Sequence, residues 1–486
     1  VKPSNSKSWK RTCIFDKDNT MNASTITRRE FLRRSAVVAA PFIVPAAVFG
    51  ANERIGIAVV GPGRQGGGLL GSAGRSKDAR IVALADVNLV RARERAKNYK
   101  AEVYKDYRKL LERKDVDAVI TATPEHWRAL TCIHACQAGK DIYAEKPMTL
   151  TIREGRLMVE ATRKYGRVFQ CGSQQRSQVQ NDVGCRIVRE GAIGKITKVI
   201  GHNYPSPWNC GLPAQPVPAE LDWDLWCGPT EPVPFNADLY APRAKPGWLS
   251  FRPYSGGEMT GWGAHGLDQI QCALGMDDSG PVAVWVEGDK FNPPTYTQSE
   301  AKSRGDKICS VPIIRYRYAT GVVLELTSDK RGGGAVFIGE KGTITIDRGV
   351  CTSDPPELTK EPLEKAIKQL REEARKRTAS VSDPTPPQAG LASETGKKKK
   401  KEEPIPPLHG GHMQNWFDCI RSRQKPIADV EIGHRSATVC HLGNIARWTN
   451  RKLRWDPVKE VFPDDADANQ YLDRARRKPY ELPETI

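Results

Sequence analysis

Apolar residues follow two rhythms along this chain. From Arg54 onward, short apolar runs alternate with stretches of helical period: Ile55, Ile57, Val59 and Val60 lead into a glycine-rich turn, and Ile81-Val-Ala-Leu-Ala85 leads to helices near 89–98 and 106–113. A strand over 117–123 precedes a helix reaching Ala138, and Asp141-Ile-Tyr-Ala144 precedes a helix over 152–165 and a last strand at 168–172. Runs too short for an amphipathic helix read as strands covered on both faces, and their alternation with helices predicts an α/β domain, residues 52–172, on a doubly wound parallel sheet.

The second rhythm starts after a polar crossing at 173–177, a helix at 181–189 and a strand at 195–203. It has period two, at 282–288, 313–318, 322–327 and 335–346, the last broken by the Gly339-Glu-Lys-Gly342 turn. Such alternation predicts a sheet with one covered face in a second domain, 173–354. Within it, residues 204–254 form an aromatic, proline-rich excursion. Trp223 and Trp226 read as its own small core, whereas Trp208 and Tyr240 stay open between that role and a cleft wall. Over 355–407 the composition shifts to Pro, Lys, Glu, Ser and Thr, with one solvated helix at 363–377; this reads as a disordered insertion, unable to bury enough apolar surface. Amphipathic helices at 412–421 and 433–447 belong to a closing segment, 408–486, that packs back on the core.

The chain has 486 residues, 39% of them hydrophobic, and a formal net charge of +18. The excess is local, in 27–34, in the run 397–401 and in the tail 474–478, so it reads as solvated clusters and not as a nucleic-acid face. Thr27-Arg-Arg-Glu-Phe-Leu-Arg33 resembles a twin-arginine export signal. The alanine-rich stretch 36–49 behind it is too short, and too interrupted by Pro41 and Pro45, to span a bilayer. Residues 21–51 are therefore expected to be a cleavable signal read by the Tat machinery, cut near Gly50 or Ala51, and 1–20 an upstream extension with Met21 as the natural start. The destination would be periplasmic or otherwise exported, without stable membrane insertion. The 12 cysteines show no CxxC spacing or regular framework, so no metal site and no disulfide scaffold is expected.

The candidate chemistry begins at Gly61-Pro-Gly63-Arg-Gln-Gly66, directly after the first strand. Gly61 suits the tight turn, Gly63 the approach of a pyrophosphate, and Gly66 close packing of the new helix, whose free N–H groups face the phosphates; Gln65 stands among them and Arg64 beside them. The second strand ends in Asp86, about 20 residues beyond the last glycine, where an acid binds a ribose 2′-hydroxyl and repels a 2′-phosphate. NAD is thus expected over NADP, a preference tempered by Arg91 and Arg93. Thr121, Thr123 and Pro124 close the next strand and should line the nicotinamide side, with His126 either touching the cofactor or capping its helix. Glu145-Lys146-Pro147 ends the following strand at the same crevice. Gln174 and Arg176 lie where the chain crosses between domains, within reach of nicotinamide or substrate, or as solvated hinge residues.

These blocks, the glycine turn, Asp86, Ala122-Thr-Pro-Glu-His-Trp127 and Ala144-Glu-Lys-Pro147, resemble the Gfo/Idh/MocA oxidoreductases, relatives of glucose-fructose oxidoreductase and inositol dehydrogenase, in order and spacing. The resemblance covers nearly everything after the signal except the insertion. Leu221-Asp-Trp-Asp-Leu-Trp-Cys-Gly-Pro229 and Gly257-Glu-Met-Thr-Gly-Trp-Gly-Ala-His-Gly-Leu-Asp268 look like its exported, sugar-acting bacterial branch. It implies an N-terminal Rossmann dinucleotide-binding domain followed by a C-terminal α/β domain whose open mixed, mostly antiparallel sheet carries the substrate site and often the contact of a homo-oligomer. Lys146 suits the family's catalytic role, taking a substrate hydroxyl proton as hydride leaves the carbon, provided desolvation lowers its pKa from about 10.4. Glu145 is its neighbour at the cofactor.

In the second block the resemblance makes His265 the assisting catalytic residue, with Trp262 and Asp268 beside it at the substrate. Inositol-dehydrogenase-like members carry aspartate four residues before the histidine; here that position is Gly261. His265 then shares the work with Lys146, is oriented by Asp268, or binds a substrate hydroxyl. His434 reads as reaching the site or as structural. The implied activity is oxidation of a secondary hydroxyl of a sugar, sugar derivative or cyclitol with tightly held NAD. NAD-dependent redox-neutral glycoside cleavage and non-catalytic binding of NAD and sugar are the alternatives.

Overall fold

Six strands form the first sheet, all but the edge strand β3 buried: β1 (Ile55–Val60), β2 (Ala79–Ala85), β3 (Glu102–Tyr104), β4 (Ala118–Thr121), β5 (Asp141–Ala144) and β6 (Phe169–Cys171). All pairs are parallel, in the order β3-β2-β1-β4-β5-β6. Every residue of β1 is buried, as expected of a strand with helices on both faces. The order reverses between β1 and β4, so connections leave to opposite sides there and open a crevice at the strands' carboxyl ends. The structure, a computed structural model, describes residues 54–241, 247–293, 295–297, 312–328, 334–379 and 404–486. The expected extension and signal, and 380–403 of the expected insertion, lie outside the described residues.

The remaining strands are β7 (Ile196–His202), β8 (Trp208–Cys210), β9 (Phe251–Arg252), β10 (Ala283–Glu287), β11 (Thr295–Tyr296), β12 (Ile313–Arg317), β13 (Val323–Thr327), β14 (Ala335–Gly339), β15 (Gly342–Asp347), β16 (Val350–Asp354) and β17 (Leu453–Arg454). Eight of them make the second sheet, β16-β15-β14-β7-β13-β12-β10-β17, in which only β7 and β13 pair in parallel. Its alternation is resolved by burial: Val199, Leu324, Leu326, Ile314, Phe337 and Ile344 face the helices and are buried. The opposite face carries Ile200 and Val336, half-buried cross-strand neighbours, and an ion chain in which Glu325 takes Lys198 at 3.0 Å and Arg315 at 2.8 Å.

Helix Val430–Thr449 packs on helix Ile152–Lys164 of the first domain and on helix Gly263–Ala273 and β10 of the second, so one buried rod fixes the two domains about the crevice. The excursion closes the other side. Its core is Trp208, Trp223, Trp226, Phe251 and Tyr254, with the Trp223 and Trp226 rings stacked at 4.4 Å and 9°. Trp208 is 1% exposed and belongs to that core, which decides one of the two open aromatics.

Two expectations are corrected here. Residues 355–379 are not part of a disordered segment: helix Glu357–Ala379 lays Leu358, Leu363, Ala366, Ile367 and Leu370 against the second core, with Thr359 buried. The helix is polar on average, yet its few apolar residues fall on one stripe, and a stripe is enough to dock a helix on an existing core. The arginine tail is likewise not a solvated cluster. Arg474 and Arg476 reach the buried Glu154 at 3.0 and 2.9 Å, because a carboxylate taken out of water requires paired cations.

Candidate active site

A cleft of about 360 Å³ runs across the carboxyl ends of β1, β4 and β5, between the first sheet, the aromatic excursion and helix Gly263–Ala273. Gly61, at φ +73°, turns the chain out of β1, and the first turn of helix Arg64–Gly74 has no side-chain cap, so its N–H groups are left for a ligand. A Cβ on Gly66 would stand 2.1 Å from the Gly61 carbonyl oxygen, so only glycine lets the helix start lie on the strand; a Cβ on Gly63 would meet nothing closer than Arg91 at 3.9 Å.

Asp86 lies at the same end, buried, accepting from Asn88 N–H at 2.9 Å and from Arg91 through Nε and Nη2, both at 2.8 Å. Burial works against the Arg91 charge, but Asp86 holds the guanidinium above its usual pKa. Tyr240 covers this pair: its ring lies 5.5 Å from the guanidinium carbon and its hydroxyl accepts from Asn88 Nδ2 at 3.2 Å. The second open aromatic is therefore a wall of the cleft.

At the far end, Thr123, Pro124, Glu145, Lys146, Gln174, Trp262 and His265 line the cleft together. Gln65 donates to Glu145 Oε1 at 2.9 Å and the Lys146 N–H to Glu145 Oε2 at 3.1 Å, so a buried carboxylate ties the glycine turn to the end of β5. Lys146 Nζ donates to the Gly261 carbonyl at 3.1 Å. The position that lacks the family aspartate thus still orients the lysine, through its backbone. His265 is 5% exposed, its ring 5.9 Å from that of Trp262. Gln174 Oε1 is buried with no hydrogen-bond partner among the described residues, an acceptor available to an amide or hydroxyl in the cleft.

Five of the predicted site residues lie elsewhere or underneath. Gly66 is packing, as above, and Thr121 is fully buried, sharing a 3.3 Å hydrogen bond with the Thr123 hydroxyl. His126 neither meets the cleft nor caps its helix: Nε2 bonds the Trp226 carbonyl at 2.8 Å, its ring sits against Trp226 and Tyr254, and burial pushes its pKa down to about 3. Arg176 and Asp268 satisfy each other, Nε to Oδ2 at 2.9 Å, with Asp277 and Ser436 completing the cluster. A buried guanidinium takes the nearest carboxylates before any substrate can, so the expected substrate contacts of both residues are withdrawn. His434 is structural, bonded to Glu460 at 2.7 Å.

Other residues went unread in the sequence. Glu125, fully buried at the start of helix Glu125–Gln137, accepts from Ser255 Oγ at 2.7 Å, Gly256 N–H at 3.0 Å and Thr260 Oγ1 at 3.2 Å. Burial pushes its pKa up to about 7, against the nearby Arg128. It thereby fixes the turn whose next carbonyl, that of Gly261, holds Lys146. Arg128, also buried, donates to the Pro147 and Thr123 carbonyls on either side of the crevice floor. Arg348 reaches the far end from the β15–β16 turn. An acid in a helix's first turn reads locally as a dipole partner, and nothing in the spacing announces a contact with the Ser255 turn.

The uncapped helix start, the glycine cradle, the acid beyond it and the unpartnered Gln174 fit a nicotinamide dinucleotide laid along the cleft. Fold and site together define a two-domain, dinucleotide-binding protein of the oxidoreductase type. The family model described as "Oxidoreductase family, NAD-binding Rossmann fold" matches residues 55–173, and its companion, "Oxidoreductase family, C-terminal alpha/beta domain", matches 178–379 and 389–482. The chain belongs to the Gfo/Idh/MocA oxidoreductase family.

Among curated relatives it is 30% identical over 144 residues to a 2,7-anhydro-N-acetylneuraminate hydratase of Mediterraneibacter gnavus, covering 30% of this chain and 38% of that one. It is 33% identical over 147 residues to an inositol 2-dehydrogenase of Rubrobacter xylanophilus, 30% of this chain and 42% of the other. The matches therefore span less than half the length of these relatives. The fold is similar to that of an aldose-aldose oxidoreductase from Caulobacter crescentus, with a TM-score of 0.52, 17% identity and coverage of 83% of this chain and 100% of that structure.

Proposed function

We propose that this chain is an NAD-dependent oxidoreductase acting on a secondary hydroxyl of a sugar, sugar derivative or cyclitol. The observation that carries the reading is the convergence of Lys146 Nζ, oriented by the Gly261 carbonyl, and His265 at the far end of the cleft whose near end is the glycine cradle. Bound there, the dinucleotide would supply the hydride acceptor. Lys146 takes the proton of the substrate hydroxyl as hydride leaves the carbon, and His265 holds or shares that proton across the same pocket. Glu145 and Glu125 position the lysine from either side, one through its N–H and the other through the Ser255 turn. The partial likeness to an inositol 2-dehydrogenase supports this substrate class.

NAD over NADP is part of the proposal, supported by Asp86, which lines the cleft just beyond the end of β2, where an acid would accept from a ribose 2′-hydroxyl and repel a 2′-phosphate. Tight retention is supported by the strap over that end: Leu89 N–H donates to the Glu220 carbonyl at 3.1 Å and Asp222 N–H to the Val87 carbonyl at 3.0 Å, with Tyr240 above. Export by the Tat machinery rests on the sequence of 27–33 alone, and a homo-oligomer through the open face of the second sheet on the half-buried Ile200 and Val336. The test is to purify the protein without added nucleotide, identify what it retains, and screen mono- and disaccharides for oxidised products and NADH. Retained NAD and at least one oxidised sugar are expected; neither would overturn the reading. The likeness to a hydratase favours one second reading, redox-neutral chemistry with the hydride returned, which would cleave or rearrange a glycoside without net NADH.

A further inference from the structure

Arg348 sits at the tip of the β15–β16 hairpin. Gly349, at φ +68°, makes the turn, and its N–H donates to Gln178 Oε1 at 3.1 Å, which pins the tip to the start of helix Val179–Arg189; the Arg348 N–H donates to Asp347 Oδ1 at 2.6 Å. From this anchored tip the guanidinium lies over the exposed indole of Trp262, 4.9 Å from the ring centroid. Trp262 directly follows the carbonyl that holds Lys146, and its ring is 5.9 Å from that of His265. The hairpin therefore delivers a cation to the substrate end of the cleft.

That cation has no carboxylate partner among the described residues. Of the other charged side chains lining this end, Lys146 and Arg128 are basic and Glu145 is acidic, and both Glu145 oxygens already accept, from Gln65 and from the Lys146 N–H; Glu125 lies underneath, bonded to the Ser255 turn. A neutral sugar would leave the positive excess uncompensated. An anionic oxygen pair matches the planar guanidinium fork, and stacking on the indole has already oriented that fork. We infer that, given the oxidoreductase reading above, the sugar taken by this cleft carries a carboxylate or phosphate ester, received by Arg348 over Trp262. Arg348 then sets specificity, while Lys146 and His265 face the hydroxyl to be oxidised.

Calorimetric titration of the NAD-loaded protein with D-glucuronate, D-galacturonate and glucose 6-phosphate, each against neutral D-glucose or D-galactose, tests this. At least one acidic probe should bind about tenfold or more tighter than its neutral counterpart, and Arg348→Gln should reduce that preference to within about twofold. Arg348→Lys, which keeps the charge and loses the fork, should fall between, and a melting temperature unchanged in both variants excludes loss of fold. The uronates and the phosphate ester separate the two anionic sources. Equal or tighter binding of the neutral sugars, a preference that survives Arg348→Gln, or no binding of any acidic probe would each overturn the inference. An acidic sugar bound with this preference but left unoxidised would sink the oxidoreductase reading and keep the anion site, whereas a neutral sugar oxidised without preference would do the reverse.

Discussion

The two ends of the cleft are built from different material. The end at Gly61 is backbone: one strand, one turn and one uncapped helix start, contiguous in sequence, present N–H groups to whatever lies there. The end at Lys146 is side chain: Glu125, Lys146, the turn from Ser255 to Gly261 and Arg348 come from four separate stretches and hold one another by hydrogen bonds and stacking. A backbone site tolerates changes in side-chain chemistry but not an added atom at its closest approach. A side-chain site behaves the other way round, and the two should fail separately.

The largest separation is expected from Lys146→Ala. If it removes the proposed proton acceptor, it should cost turnover about 10²- to 10⁴-fold, with nucleotide affinity held within about twofold because none of the cradle is touched. Single-turnover NADH formation alongside calorimetric NAD titration measures both; a parallel loss of affinity would erase the distinction between the ends. Gly66→Ala is the converse. Its new methyl would meet the Gly61 carbonyl at 2.1 Å, so strand and helix must part, at about 1–3 kcal/mol of stability. Nucleotide binding should suffer first, and a variant with unchanged melting temperature and NAD affinity would show that the turn yields easily.

Asp86→Ser sharpens the comparison within the cofactor end. Arg91, now paired with Asp86 at 2.8 Å, would be released beside the ribose position, so no second substitution is needed to favour a 2′-phosphate. The ratio of NADP to NAD affinity should rise about tenfold, near 1.4 kcal/mol. Fluorescence titration with the two nucleotides reads it directly, and an unchanged ratio would remove Asp86 from the ribose.

The same contrast explains what could be read from the sequence. The parallel sheet, its glycine turn and the acid after β2 were legible because strand runs and glycine spacing are local signals. The convergence of Lys146 with Trp262 and His265 was legible only through the family resemblance. Arg176, Asp268 and His126 were misplaced because a polar residue near a motif has one sequence whether it faces the cleft or a buried partner. The docked helix Glu357–Ala379 was missed because composition averaged over 355–407 concealed its apolar stripe. Glu125 carried no signal at all, its partners lying some 130 residues away.

Glu125 supplies the smallest and most discriminating effect, since two forces act on it in opposite directions. Arg128 and three hydrogen-bond donors favour its charge and burial opposes it; burial prevails, so that the carboxyl, ordinarily near 4.5, is held up at about 7. The folded state then binds this proton more tightly than the unfolded chain, and the group's contribution to stability is present in full below about 4.5 and is lost as pH rises to about 7. The loss is roughly 3 kcal/mol at most, less wherever water reaches the site. Glu125→Gln cannot titrate, so the stability of the native protein minus that of the variant should decline between these two pH values and level off above them, with contributions from Glu154 and Glu460, present in both proteins, cancelling. Denaturant unfolding at a series of pH values measures the difference. A difference that rises with pH would mean that Arg128 and the Ser255, Gly256 and Thr260 donors together outweigh burial, and that Glu125 grips the lysine's turn as an anion at every working pH.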